Sequence, residues 1–81
     1  MVIKKKLNKK FGPYVRELRI KKEIGQRELA SKIGIAASYL NDIEKEKRSA
    51  PKNIAIKKLS TILQVDINYL NDLAGISKGN V

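Results

Sequence analysis

Apolar residues recur along this chain at helical spacing. Leu7, Phe11, Val15 and Leu18 follow one another at intervals of four, four and three, which gathers them on one face of a first helix ending near Lys22 or Glu23. Its start reads two ways. Pro13 favours the first turn of a helix with Gly12 as its cap, whereas the Leu7 and Phe11 spacing argues for an earlier beginning. After Ile24 and Gly25, "QRELASKI" places Leu29, Ala30 and Ile33 on one face of a second helix, and Gly34 is suited to the left-handed residue that ends it. A third helix runs from about Ala37 to Lys45, with Leu40 and Ile43 inward and Tyr39 beside them. Pro51 suits the first position of a fourth, which carries Ala55, Leu59, Ile62 and Leu63. Asp66 is a good N-cap for a fifth, where Ile67, Leu70 and Leu73 face inward and Gly75 closes the helix. No segment sustains the alternation of a half-buried strand, and the expected class is all-α with five helices.

Charge adds a partner to this scaffold. Eighteen Lys and Arg against eight Asp and Glu give a net charge of +10, so the surrounding field attracts polyanions, nucleic acid first and anionic membrane second. The acids are also unevenly placed, since residues 1 to 16 contain none and neither do residues 47 to 65. Cysteine and histidine are both absent, which removes disulfides, zinc fingers, thiolate chemistry and the commonest general base. With no clustered carboxylates, nucleophile–base pair or phosphate-cradling loop, the expectation is no enzyme, no metal and no cofactor. The 81 residues make one domain. The basic start "MVIKKKLNKK" lacks the apolar run of a signal peptide, and no later stretch approaches a membrane span, so a cytoplasmic protein is expected.

Helices two and three are separated by about three residues with Gly34 at the pivot, the spacing of a helix-turn-helix. Ala30 supplies the small side chain needed where the two helices cross, and Gly34 the residue that tolerates positive φ. Leu29, Ile33, Ile35, Leu40 and Ile43 fill the inner face, leaving the outer face of helix three free to enter a major groove. The combination of "QRELASKIGI", "YLNDIEK" and Pro51 before a helix resembles the Cro and CI repressor-type helix-turn-helix family, also called the Xre family. The likeness extends over residues 11 to 75. Residues 1 to 10 are then a basic N-terminal arm or the start of helix one, and 76 to 81 a short C-terminal tail.

The resemblance implies roles residue by residue. Ala37, Ser38, Asn41 and Asp42 fall where family members place base-reading side chains. Gln26 matches a glutamine that bonds a DNA phosphate and packs against the recognition helix. Tyr39 lies close to the DNA backbone, and Lys45, Lys47, Arg48 and Lys52 match the region that grips flanking phosphates. Arg19 and Glu44 match a partly buried salt bridge between helices one and three. The reading residues are short of long donors. Ala37 can only pack on a thymine methyl, Ser38 and Asn41 can bond bases or phosphates, and Asp42 can accept only from an exocyclic amine such as that of cytosine. Ala36 takes the cap position before helix three, where Ser or Thr is usual.

The expected function is a sequence-specific regulator of transcription that binds double-stranded DNA as a homodimer on a palindromic operator, by promoter occlusion or polymerase contact. The competing expectation is an antitoxin-like protein whose main task is to bind a partner protein, with Ile56, Ile67 and Ile76 as candidate contact positions for a partner or for the dimer.

Overall fold

The computed structural model describes residues 10–75. The expectations for the arm before Lys10, including Leu7, and for the tail from Ile76 onward lie outside the described residues. Five helices follow one another, α1 (Phe11–Lys21), α2 (Gln26–Ile33), α3 (Ala37–Glu44), α4 (Asn53–Leu63) and α5 (Ile67–Ala74). Among the described residues there is no strand, as the periodicity predicts. No helix among them is long and apolar enough to cross a membrane.

The core is made of the residues that the spacing points inward. Phe11 and Val15 of α1, Leu29, Ala30 and Ile33 of α2, Leu40 and Ile43 of α3, Ala55, Leu59 and Leu63 of α4 and Leu70 of α5 are all buried. Leu18, Ile35, Ile62, Ile67 and Leu73 pack around them while keeping part of their surface in solvent. Burying a large aliphatic side chain is worth about 1.5–3 kcal/mol, so this cluster supplies the dominant favourable contribution. The helices pack as a closed circuit: α1 on α3, α3 on α2, α2 on α4, α4 on α5, and α5 back on α1. The last contact includes an edge-to-face pair of Tyr14 and Tyr69, with ring centroids 5.3 Å apart and planes at 84°.

Several local details differ from the sequence reading. Ile56, assigned there to a contact surface, is fully buried in the core. It follows Ala55 on the inner side of α4, and burial of both positions widens the apolar stripe beyond the single row that Ala55, Leu59 and Leu63 suggest. Gly12 is not a cap. Lys10 is the N-cap of α1, and Gly12 lies buried in the first turn, where an added Cβ would land on the carbonyl oxygen of Ile43 and within 3.2 Å of Glu44 Cα. The backbones of α1 and α3 meet there. Pro13 sits at the third residue of α1, where its missing N–H is one of the four that no helix can satisfy internally. Pro51 does not open α4. It is buried ahead of Lys52, the N-cap, and Asn53 is the first helical residue.

Asp66 holds the N-cap position of α5 but makes no side-chain cap bond, and the other four helices begin without one as well. The C-termini are more regular. Gly34 and Gly75 end α2 and α5 in the left-handed region, at φ of 79° and 82°. Glu23, Glu46 and Gln64 take the same conformation at 58°, 63° and 57° without being glycine, a strain of about 1–2 kcal/mol per residue.

Candidate nucleic-acid interface

The turn between α2 and α3 is fixed by backbone bonds. The Ile35 N–H donates to Ala30 O at 2.9 Å and the Gly34 N–H to Ser31 O at 3.2 Å, the pairing by which a left-handed residue closes a helix. Ile35 then turns its side chain onto the core, which anchors the connection from both ends. Ala36 is the N-cap of α3 in an extended conformation, φ −73° and ψ 147°, and offers no side-chain acceptor.

On α3 the buried residues Leu40, Ile43 and Glu44 define one side. Ala37, Ser38, Asn41, Asp42 and Lys45 share the other, because positions three, four and seven apart lie together on a helix. Ser38 and Lys45 are exposed, while Ala37, Asn41 and Asp42 are half-buried. This outward face is a short strip of small and polar side chains flanked by cations.

Beneath it runs one connected set of polar side chains. Arg19 of α1 grips Glu44 of α3 in a two-pronged contact, Nε to Oε2 at 2.8 Å and Nη2 to Oε1 at 3.0 Å. Its remaining Nη1 donates to Ile24 O at 3.0 Å. The Glu44 side chain is 1% exposed and that of Arg19 12%. A charge pair so far from water needs its polar atoms bonded, and here both Glu44 oxygens and all three Arg19 guanidinium nitrogens make hydrogen bonds. Gln26, first residue of α2, adds to the set: its Nε2 donates to Glu44 Oε1 at 3.1 Å and to Asn41 Oδ1 at 3.3 Å. The side-chain donors of Gln26, expected to meet a phosphate, are therefore directed into α3.

The loop after α3 carries the cations. Lys45 is the C-cap of α3, and Lys47 is held by its backbone N–H on Asp42 O at 2.7 Å. Both side chains are exposed, as are those of Arg48 and Lys52. Arg48 lies over the Tyr39 ring at 5.1 Å from its centroid and places Nε 3.7 Å from Asp42 Oδ2. This joins a base-reading candidate, a phosphate candidate and a loop cation in one surface group that spacing alone does not reveal. Lys10, at the start of α1, reaches the same loop through Glu46 at 3.6 Å.

Similarity to other proteins agrees with this geometry. The helix-turn-helix family profile matches residues 15–70. The chain is 38% identical over 65 residues to the Bacillus subtilis protein described as uncharacterized HTH-type transcriptional regulator RghRB, covering 80% of this chain and 47% of that one. The chain thus spans about half the length of that relative. Among solved structures it superposes on SinR, a master regulator for biofilm formation in complex with DNA, with TM-score 0.66 and 33% identity over 74% of this chain and 95% of that one. It also superposes on C.AhdI, a restriction-modification controller protein from Aeromonas hydrophila, with TM-score 0.64 and 35% identity over 74% of this chain and 89% of that one. With its motif, its five helices and these relatives in agreement, the chain belongs to the helix-turn-helix family of the Cro/CI repressor type.

Proposed function

We propose that this protein is a sequence-specific DNA-binding regulator of transcription. The observation that carries the reading is the outward face of α3, where Ser38 is exposed and Asn41 and Asp42 are half-buried, bordered by the exposed cations Lys45, Lys47, Arg48 and Lys52. α3 enters the major groove. Ala37, Ser38, Asn41 and Asp42 face base edges, and Tyr39, Lys47, Arg48 and Lys52 hold the flanking phosphates. The protein works in the cytoplasm and needs no cofactor. It acts as a homodimer on a palindromic operator, with two recognition helices about 34 Å apart in successive major grooves. It regulates by occluding a promoter or by contacting polymerase, and has no enzymatic activity.

Selection of bound duplexes from a random pool tests this reading as a whole. The expected product is a twofold-symmetric motif whose half-sites lie one helical turn apart. Equal affinity for selected and random duplexes would overturn sequence-specific regulation, and a footprint without twofold symmetry would overturn the dimer.

A further inference from the structure

We infer that the outer face of α4, from the groove beside Ile54 to Ile62, is a docking surface for an acidic protein segment that carries apolar side chains along one side. The inference goes beyond the DNA-binding reading above, because Ile54, Lys57, Lys58, Thr61 and Ile62 have no part in that reading. Only Tyr39 and Lys52, at the near end of the groove, are shared with it.

The outward stripe of α4 comes first. Lys57, Lys58 and Thr61 follow Ile54 by three, four and seven positions, which lines all four up along one side of the helix. All four are exposed, and the other side carries the buried Ala55, Ile56, Leu59 and Leu63. Ile56 thus faces the core while Ile54 keeps 65% of its surface accessible, more than any other large apolar side chain among the described residues. A single exposed isoleucine is ordinary; what sets Ile54 apart is its surroundings. It forms one wall of a groove of about 330 Å³ whose other sides include Ile33, Ile35, Tyr39 and Pro51. Further along α4, Lys57, Lys58, Thr61 and Ile62 line a second depression of about 280 Å³. Apolar surface is offered at both ends of the stripe, about 12 Å apart along the helix axis, with the lysines between.

Charge decides what covers this surface. Lys57 and Lys58 are exposed, and neither pairs with an acid among the described residues. Lys52 stands at the groove, and residues 47 to 65 contain no acid at all. A second copy of this chain does not fit, because a twofold contact would set Lys57 and Lys58 against their own images. The backbone of duplex DNA would satisfy the lysines but leave Ile54 nothing apolar to meet. An acidic protein segment satisfies both. Its carboxylates meet Lys52, Lys57 and Lys58, and apolar residues about two helical turns apart fill the groove at Ile54 and the depression at Ile62. The apolar anchors then supply most of the affinity, and the surrounding charges speed the encounter and fix the register.

Titration of the full chain with three probes, followed by NMR of the backbone amides and by calorimetry, tests the inference. The first is a synthetic helical peptide with Leu and Phe along one side and Glu along the other. The second is an oligoglutamate of equal charge, and the third a short duplex DNA of random sequence. The amphipathic peptide is expected to shift the amide signals of Ile35, Ile54 and the turn from Lys57 to Ile62. It should bind about tenfold tighter than oligoglutamate, which is about 1.4 kcal/mol. Ile54→Gln, at an exposed position that leaves the core intact, should remove most of that tenfold difference. Joint replacement of Lys57→Gln and Lys58→Gln should weaken both peptides and flatten their salt dependence. Ile20→Gln, at the exposed isoleucine of α1, should change nothing.

Equal affinity for the two peptides, an undiminished difference in Ile54→Gln, or an equal loss in Ile20→Gln would each overturn the docking surface. Peptide shifts centred on α3 would overturn it as well, since the peptide would then be imitating DNA. Duplex DNA that shifts the signals of Ile54 to Ile62 more strongly than the peptide does would give the stripe to nucleic acid instead.

Discussion

At the scale of single residues, Gly12 and Tyr14 show what spacing can and cannot convey. Gly12 beside Pro13 has the appearance of a helix boundary, and nothing local distinguishes a cap from a point where two backbones touch. Only the position of Ile43, thirty-one residues later in the chain, makes the difference. Gly12→Ala should lower stability by about 1–3 kcal/mol, since the new methyl group meets main chain that cannot rotate away. Urea denaturation should show a lower midpoint at unchanged slope. Tyr14 is partly buried against Tyr69, and its phenol is pushed above the ordinary value of 10.0 by burial first, then by the nearby Tyr69 and Glu17. The folded protein therefore holds this proton more tightly than the unfolded chain. The resulting stabilisation is present in full below the ordinary phenol range and is lost as pH rises through the raised value. Tyr14→Phe, which cannot ionise, should show a shallower loss of stability above pH 10 in thermal melts taken as a function of pH.

At the scale of elements, helical spacing identifies all five helices, because burial in a small all-α domain leaves a strong 3.6-residue signature in residues such as Leu29, Ala30 and Ile33. Boundaries are less legible. Pro51 has the composition of a first helical residue, yet Lys52 caps α4 behind it, and either arrangement satisfies the fixed φ of proline. The burial of Ile56 escapes the pattern for a related reason: a stripe wide enough for both Ala55 and Ile56 cannot be told from a narrow one until the neighbouring helices are placed. Of the candidate site, the outward strip on α3 is legible, but the inward turn of Gln26 is not, because it depends on a carboxylate eighteen residues away. The uncapped starts have a practical reading. Ala36 already has the extended backbone of an N-cap, so Ala36→Ser should stabilise α3 by about 1 kcal/mol. Differential scanning calorimetry should register this as a rise of roughly 4–8 °C.

At the scale of the whole molecule, the charge of +10 and its concentration in acid-free tracts bear on affinity more than on choice of sequence. Removal of one phosphate-binding cation should lower the slope of log affinity against log salt by about 0.9. Lys47→Ala is expected to do so and to weaken selected and random duplexes alike, which titration of both at several salt concentrations would check. The contact at Gly12 has a different reach. Because α3 is seated against main chain at its inner end, the tilt of the reading helix does not depend on which side chains decorate its outer strip. Exchange at Ser38 or Asp42 leaves that seat untouched, so on the proposed DNA-binding reading the outer strip can be altered one side chain at a time while the domain that presents it stays the same.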